Sequence, residues 1–180
     1  MNIFILDKHP IYAAIMQHDV HVIKMSLESA QIISAVLRLL GYGDEDFIKY
    51  GIVTKSGKPY GLSHQHHPCI KWVLESDQNR AWFMVHAKEL CVEYWRRFDK
   101  IHACQSVIEG AKNLMVEEDI IDHQNWDDTT PFIQAMPEEY QQEDPVQAYR
   151  DYYLAEKMMP KGKPATWKHP SENWTLRVLA

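Results

Sequence analysis

Cysteine is scarce in this chain and comes in an odd number: Cys69, Cys91 and Cys104. Two of the three sit in apolar helical contexts, which disfavours a disulfide framework and fits a reducing compartment. A basic excess is also lacking. The formal net charge is -6 with histidines neutral, so bulk electrostatics advertise neither nucleic-acid nor anionic-membrane binding. Protonation of the ten histidines below neutral pH would offset much of that charge. The opening MNIFILDKHP has too short an apolar run for a secretory leader, and Asp7 and Lys8 interrupt it. No run reaches the roughly 18 apolar residues expected of a bilayer span. Internal repeats and low-complexity tracts are missing too. So are a Gly-rich phosphate loop, a Walker lysine, G-x-S-x-G, C-x2-C and H-E-x2-H. Kinase, NTPase, Rossmann and α/β-hydrolase readings fall away, and no cofactor is expected. What remains is a 180-residue single domain, expected in the cytoplasm without membrane contact, its oligomeric state left open.

What is present is helical periodicity, in a chain that is 46% hydrophobic and 24% charged. Residues 3–6 (IFIL) read as a short extended segment. Pro10 opens a helical turn, and a long helix follows from about Asp19 to Leu40, stopped by Gly41 and Gly43. Residues 44–65, containing KSGKPYG, read as a loop or small hairpin. Pro68 starts another helix, a break near Ser76 and Asp77 precedes NRAWFMVHAKELCVEYWRRF, and HACQSVIEGAKNLM gives one more. Residues 116–142 are acidic, proline-bearing and irregular. Asp144 and Pro145 then cap and open DPVQAYRDYYLAEKMM. Strand signals are thin. The expected fold is mainly α: a compact single-domain helical fold over residues 1–180, with a short extended N-terminus, a helical core of about 10–159 and an irregular Pro/Trp-rich C-terminal tail of 160–180.

The long helix carries an oddity. His21, Lys24, Glu28 and Gln31 form one narrow stripe at the helical period, while Val22, Ile23, Met25, Ile32, Ile33 and Val36 cover most of the rest. A helix apolar nearly all round is a buried one. A lysine beside a carboxylate in a partly apolar wall can act as a nucleophilic amine, with Glu28 as acid or base. The plainer alternative is an i, i+4 ion pair meeting solvent.

Three further groups stand out. Asn79, Trp82, His86, Glu89 and Glu93 share one helical face that mixes polar groups with an indole, as a binding surface does. His64, His66, His67 and Cys69 are the candidate ligands should a metal be bound, although His67 is equally placed to cap the helix that Pro68 opens. In the tail, Trp167, Lys168, His169, Trp174 and Arg177 interleave aromatics with cations, a mixture that stacks on bases and meets phosphates or else packs back on the domain.

The order of these features is similar to that of the phage endonuclease V (pyrimidine-dimer DNA glycosylase) family. The features are a helix with His and, two turns later, Glu, then MPEEY, DPVQAYRDYYLAEK and KPATWKH; LSHQHHP resembles a Y-x-H-H-P run in some relatives. HVIKMSLESAQ and HPCIKW more closely resemble small proteins encoded by tailed phages, a likeness that supplies no activity. The family resemblance implies a compact helical enzyme of the host cytoplasm acting on DNA or a nucleotide. An amine would form an imine at C1′ of a damaged or modified nucleotide. It makes His21 the active-site histidine, Glu28 the catalytic glutamate and Trp167 and Lys168 the DNA-contacting tail. Met1 would supply the α-amine, with Lys24 as the alternative amine; Gln31, Asn79, Trp82 and His86 would line the substrate site. Two other readings stand beside it: a metal-dependent hydrolase or nucleotide-processing enzyme, and a non-catalytic phage protein that binds a host factor.

Overall fold

Prolines and short polar side chains cut this chain into helices, and their positions set the architecture. The computed structural model describes residues 1–121 and 126–169. Among the described residues seven α-helices run in order: α1 (Pro10–Ile15), α2 (Asp19–Leu39), α3 (Asp44–Lys49), α4 (Pro68–Glu75), α5 (Asp77–Phe98), α6 (Gln105–Glu117) and α7 (Pro145–Glu156). Proline occupies the first turn of α1, α4 and α7, where its missing N–H costs nothing. Ser76 ends α4 and caps α5, its hydroxyl accepting from Asn79 N–H at 3.0 Å. Asp144 caps α7 through Val146 N–H at 2.9 Å.

The fold is mainly helical, as the periodicity implies. Residues 1–6 form neither helix nor strand, and the expected extended run is broken at Phe4, whose φ is 48° and whose carbonyl accepts the Leu6 N–H at 2.9 Å. The 44–65 segment is richer than a loop: α3 lies in it, because Asp46 Oδ2 accepts the Gly43 N–H at 2.8 Å and the first turn is acidic. A single bridge between Val53 and Pro59 closes the small hairpin.

The core forms around α2, which packs against α4, α5 and α6, while α1 lies along α5. Ile32, Ile33, Val36 and Leu37 of α2 are wholly buried, as are Phe83, Ala87 and Leu90 of α5. By length and composition α2 could cross a membrane, contrary to the expectation that no run is apolar enough. In the fold 72% of its most apolar window is buried, so it serves as the central core helix. Gly110 lets α6 approach the chain after α3: a Cβ there would lie 2.0 Å from the Tyr50 carbonyl oxygen. The corner between α1 and α2 is fastened by Arg97 of α5. Its guanidinium donates to the Ile15 and Gln17 carbonyls at 2.8 Å each, and pairs with buried Glu93 at 2.8 Å and Asp19 at 3.2 Å.

Candidate functional site

The N-terminal segment crosses α2 and brings three of the expected residues together. Glu28 sits on the α2 stripe with 12% of its side chain exposed. Its Oε2 accepts the Asn2 N–H at 2.9 Å and lies 3.7 Å from the Met1 α-nitrogen. Its Oε1 lies 3.3 Å from the ammonium of Lys24, one turn earlier and largely exposed. Asn2 anchors the arrangement. Its amide donates to the Ala135 carbonyl at 2.9 Å, and its Oδ1 receives the Ile3 N–H at 2.7 Å. One carboxylate thus holds two amines, one on each oxygen.

His67 completes the cluster. It caps α4, its Nδ1 accepting from Cys69 N–H at 3.2 Å, as the position before Pro68 suggested. Burial holds its imidazole below the ordinary range, with the Met1 ammonium and His64 adding to that, while Glu28 and the Met1 carbonyl pull upward. A shallow cleft lined by His64, Gln65, His66 and His67 opens beside it. Cys69 faces inward, and burial pushes its thiol up to about 12. Among the described residues no three His, Cys, Asp or Glu side chains gather as metal ligands, so the set His64, His66, His67 and Cys69 finds no support as a metal centre.

His21 lies on the inner side of the same stripe. Its ring stacks on Phe4 at 4.6 Å and on His18 at 4.0 Å, and it meets Tyr153 edge-on at 5.1 Å. Burial, then the nearby His18, Lys24 and Lys157, pushes its pKa down to about 3, so it is a neutral imidazole under the N-terminal segment. Its ring packs Phe4 of the N-terminal segment against α2. Gln31 sits half-buried a turn beyond Glu28.

The polar face of α5 turns inward. Asn79 is fully buried, donating to the Trp72 carbonyl and to Thr130 Oγ1 at 2.7 Å each and accepting the Thr130 N–H at 3.0 Å. His86 is fully buried as well. Its Nδ1 faces the Pro10 carbonyl at 3.0 Å, which requires a proton there, so Nε2 accepts from the Gln17 amide at 3.3 Å. Both residues fasten the fold and neither opens on the Glu28 cluster. Trp82 stacks on His86 at 5.2 Å and donates its indole N–H to the Lys8 carbonyl at 2.7 Å; its edge lines a separate cleft.

The tail returns to the start of α2. Asp19 N–H donates to the Thr166 carbonyl at 2.8 Å, and the Asp19 carboxylate accepts from Thr166 Oγ1 at 2.7 Å and Lys168 N–H at 3.0 Å. Trp167 donates its indole N–H to the Met16 carbonyl at 3.1 Å, and the Lys168 ammonium sits 5.0 Å over the Phe98 ring. Trp174 and Arg177 lie outside the described residues. Comparison with family models, curated proteins and solved structures finds no match. Function therefore rests on the site alone. Sequence reasoning missed two of its members, Asn2 and, as a neighbour of the amine, His67.

Proposed function

We propose that this chain is a DNA glycosylase/AP-lyase-like enzyme of phage type that works through an imine. The α-amine of Met1 is the nucleophile and Lys24 the alternative amine. The observation that supports this most is the meeting of Met1 N and Lys24 Nζ on the two oxygens of Glu28, at 3.7 and 3.3 Å. An ammonium has no lone pair, so attack requires its proton to move to a neighbouring base, and Glu28 is in reach of both. The amine then adds at C1′ as the bond to the base breaks and the base leaves with a proton; the C1′–O4′ bond next opens, O4′ taking a proton and the nitrogen losing one, which gives the imine. Loss of a proton from C2′ expels the 3′ phosphate by β-elimination, and water releases the amine. The glutamate takes and returns protons in these steps, having two positions from which to do so.

The local charge supports an anionic substrate better than the net charge of -6 would suggest. Lys24 and the Met1 amine flank one carboxylate, with the His67 imidazole beside them. Contact with phosphates would be confined to this patch and to Lys168, a small footprint for a nucleic-acid enzyme. Reaching C1′ requires the damaged nucleotide to leave the stack.

Borohydride reduction on duplex carrying an abasic site or a modified base tests the reading. The expected product is a stable protein–DNA adduct that peptide mass spectrometry maps to Met1, or to Lys24. Glu28→Gln should reduce strand scission on the same duplex at least tenfold, as expected for loss of a proton-transferring group. The absence of any adduct on either duplex refutes the imine mechanism.

A further inference from the structure

A second cleft lies away from Glu28, at the other end of the N-terminal segment, and takes no part in the imine chemistry. It encloses about 480 Å³, within the usual range for small-ligand sites. Its walls are aromatic. His9 stacks on Tyr12 at 4.5 Å and meets Trp126 edge-on at 4.6 Å. Opposite them, Phe132 packs against Trp82 at 5.3 Å. Asp7, Asp127, Thr129 and Lys8 supply the polar lining. A neighbouring hollow shares Lys8 and Phe132 and adds Glu143 and Asp144.

The charges choose among ligands. Among the described residues lining either hollow, Lys8 is the one cation, against four carboxylates. Arg150, which pairs with Asp7 at 3.4 Å, is also committed to the Leu6 carbonyl at 2.8 Å. Phosphate-bearing ligands are disfavoured in such a field. Ring faces beside carboxylates attract a cation with an apolar body. The carboxylates of Asp7 and Asp127 line the cleft and accept charge-assisted hydrogen bonds from N–H donors, which a quaternary ammonium lacks.

We infer that the Tyr12–His9–Trp126–Phe132 cleft binds an organic cation carrying N–H donors, a guanidinium or primary alkylammonium group, between its aromatic walls and the carboxylates of Asp7 and Asp127. The site is independent of the imine chemistry and stands or falls separately from it.

Titration calorimetry on the full chain at low salt tests this, with butylguanidinium, butylammonium, tetramethylammonium and adenosine monophosphate as probes, and fluorescence following Trp126. Butylguanidinium and butylammonium should bind in the millimolar range or tighter and change the fluorescence. Tetramethylammonium should bind at least several-fold more weakly, and the nucleotide should not compete. Trp126→Ala and Asp127→Asn should each weaken cation binding about tenfold, the scale of one cation–π or charge-assisted contact. Far-ultraviolet circular dichroism of both variants should match the parent. The inference is overturned if neither N–H cation binds, if the nucleotide binds more tightly than they do, or if the folded variants bind them unchanged.

Discussion

Acid should unfold this protein through its buried imidazoles, and His86 gives the cleanest test. With Nδ1–H committed to the Pro10 carbonyl and Nε2 accepting from Gln17, a second proton would set two donors against each other. Burial lowers its pKa from 6.5 to about 4, against the upward pull of the Pro10 and Ile3 carbonyls. His18 and His21, stacked at 4.0 Å, are lowered by burial to about 4 and about 3. In the unfolded chain all three take up a proton near pH 6.5. The neutral native forms therefore contribute stability that is complete above pH 6.5 and drains away as pH falls through the folded values. Between about pH 6 and 4.5 each histidine steepens the loss by about 1.4 kcal/mol per pH unit, because the unfolded state holds one proton more. For His86 alone the total over its window is roughly 3 kcal/mol. Urea unfolding at half-unit steps from pH 7.5 to 4.5 measures this. His86→Gln keeps a donor and an acceptor but cannot titrate. Its absolute stability will differ, yet its curve should be shallower than the parent's by about 1.4 kcal/mol per pH unit. Parallel curves would refute the placement of His86 as a neutral, doubly bonded core residue.

Two other perturbations probe the frame that holds the site. Gly110→Ala drives a methyl group onto the Tyr50 carbonyl, where the neighbour is backbone and cannot swing aside. A loss of about 3 kcal/mol is expected, a Tm fall of roughly 10 °C by scanning calorimetry, and an unchanged Tm would contradict the close approach of α6. Arg97→Met leaves Glu93 buried beside Arg96 alone and deprives the Ile15 and Gln17 carbonyls of donors. It should cost about 3–5 kcal/mol in urea unfolding. Adding Glu93→Gln should recover part of that, and no recovery would mean the stranded charge is not the cause.

The sequence by itself determined that this protein is helical and where most helices begin, because those facts are local. Proline at a first turn, Asp144 and Ser76 as caps, and apolar residues at helical spacing act within a few residues. α3 escaped notice because its start depends on a glycine N-cap and three acidic residues, a weak local signal. The stripe on α2 was visible in the sequence, and so was the possibility of its Lys24–Glu28 pair, one turn apart. That Met1 and Asn2 would arrive at the other oxygen of Glu28 was not, since the contact spans 26 residues and depends on Phe4 packing over His21. The face of α5 shows the limit most sharply. Asn79, Trp82, His86 and Glu93 share a side in any helix, and periodicity cannot say whether that side meets a ligand or other chain segments. Only tertiary structure decided it. The Pro10, Gln17, Trp72 and Thr130 groups that satisfy Asn79 and His86 come from elsewhere in the chain, and a polar face whose partners all lie inside the protein reads in sequence just like one awaiting a substrate.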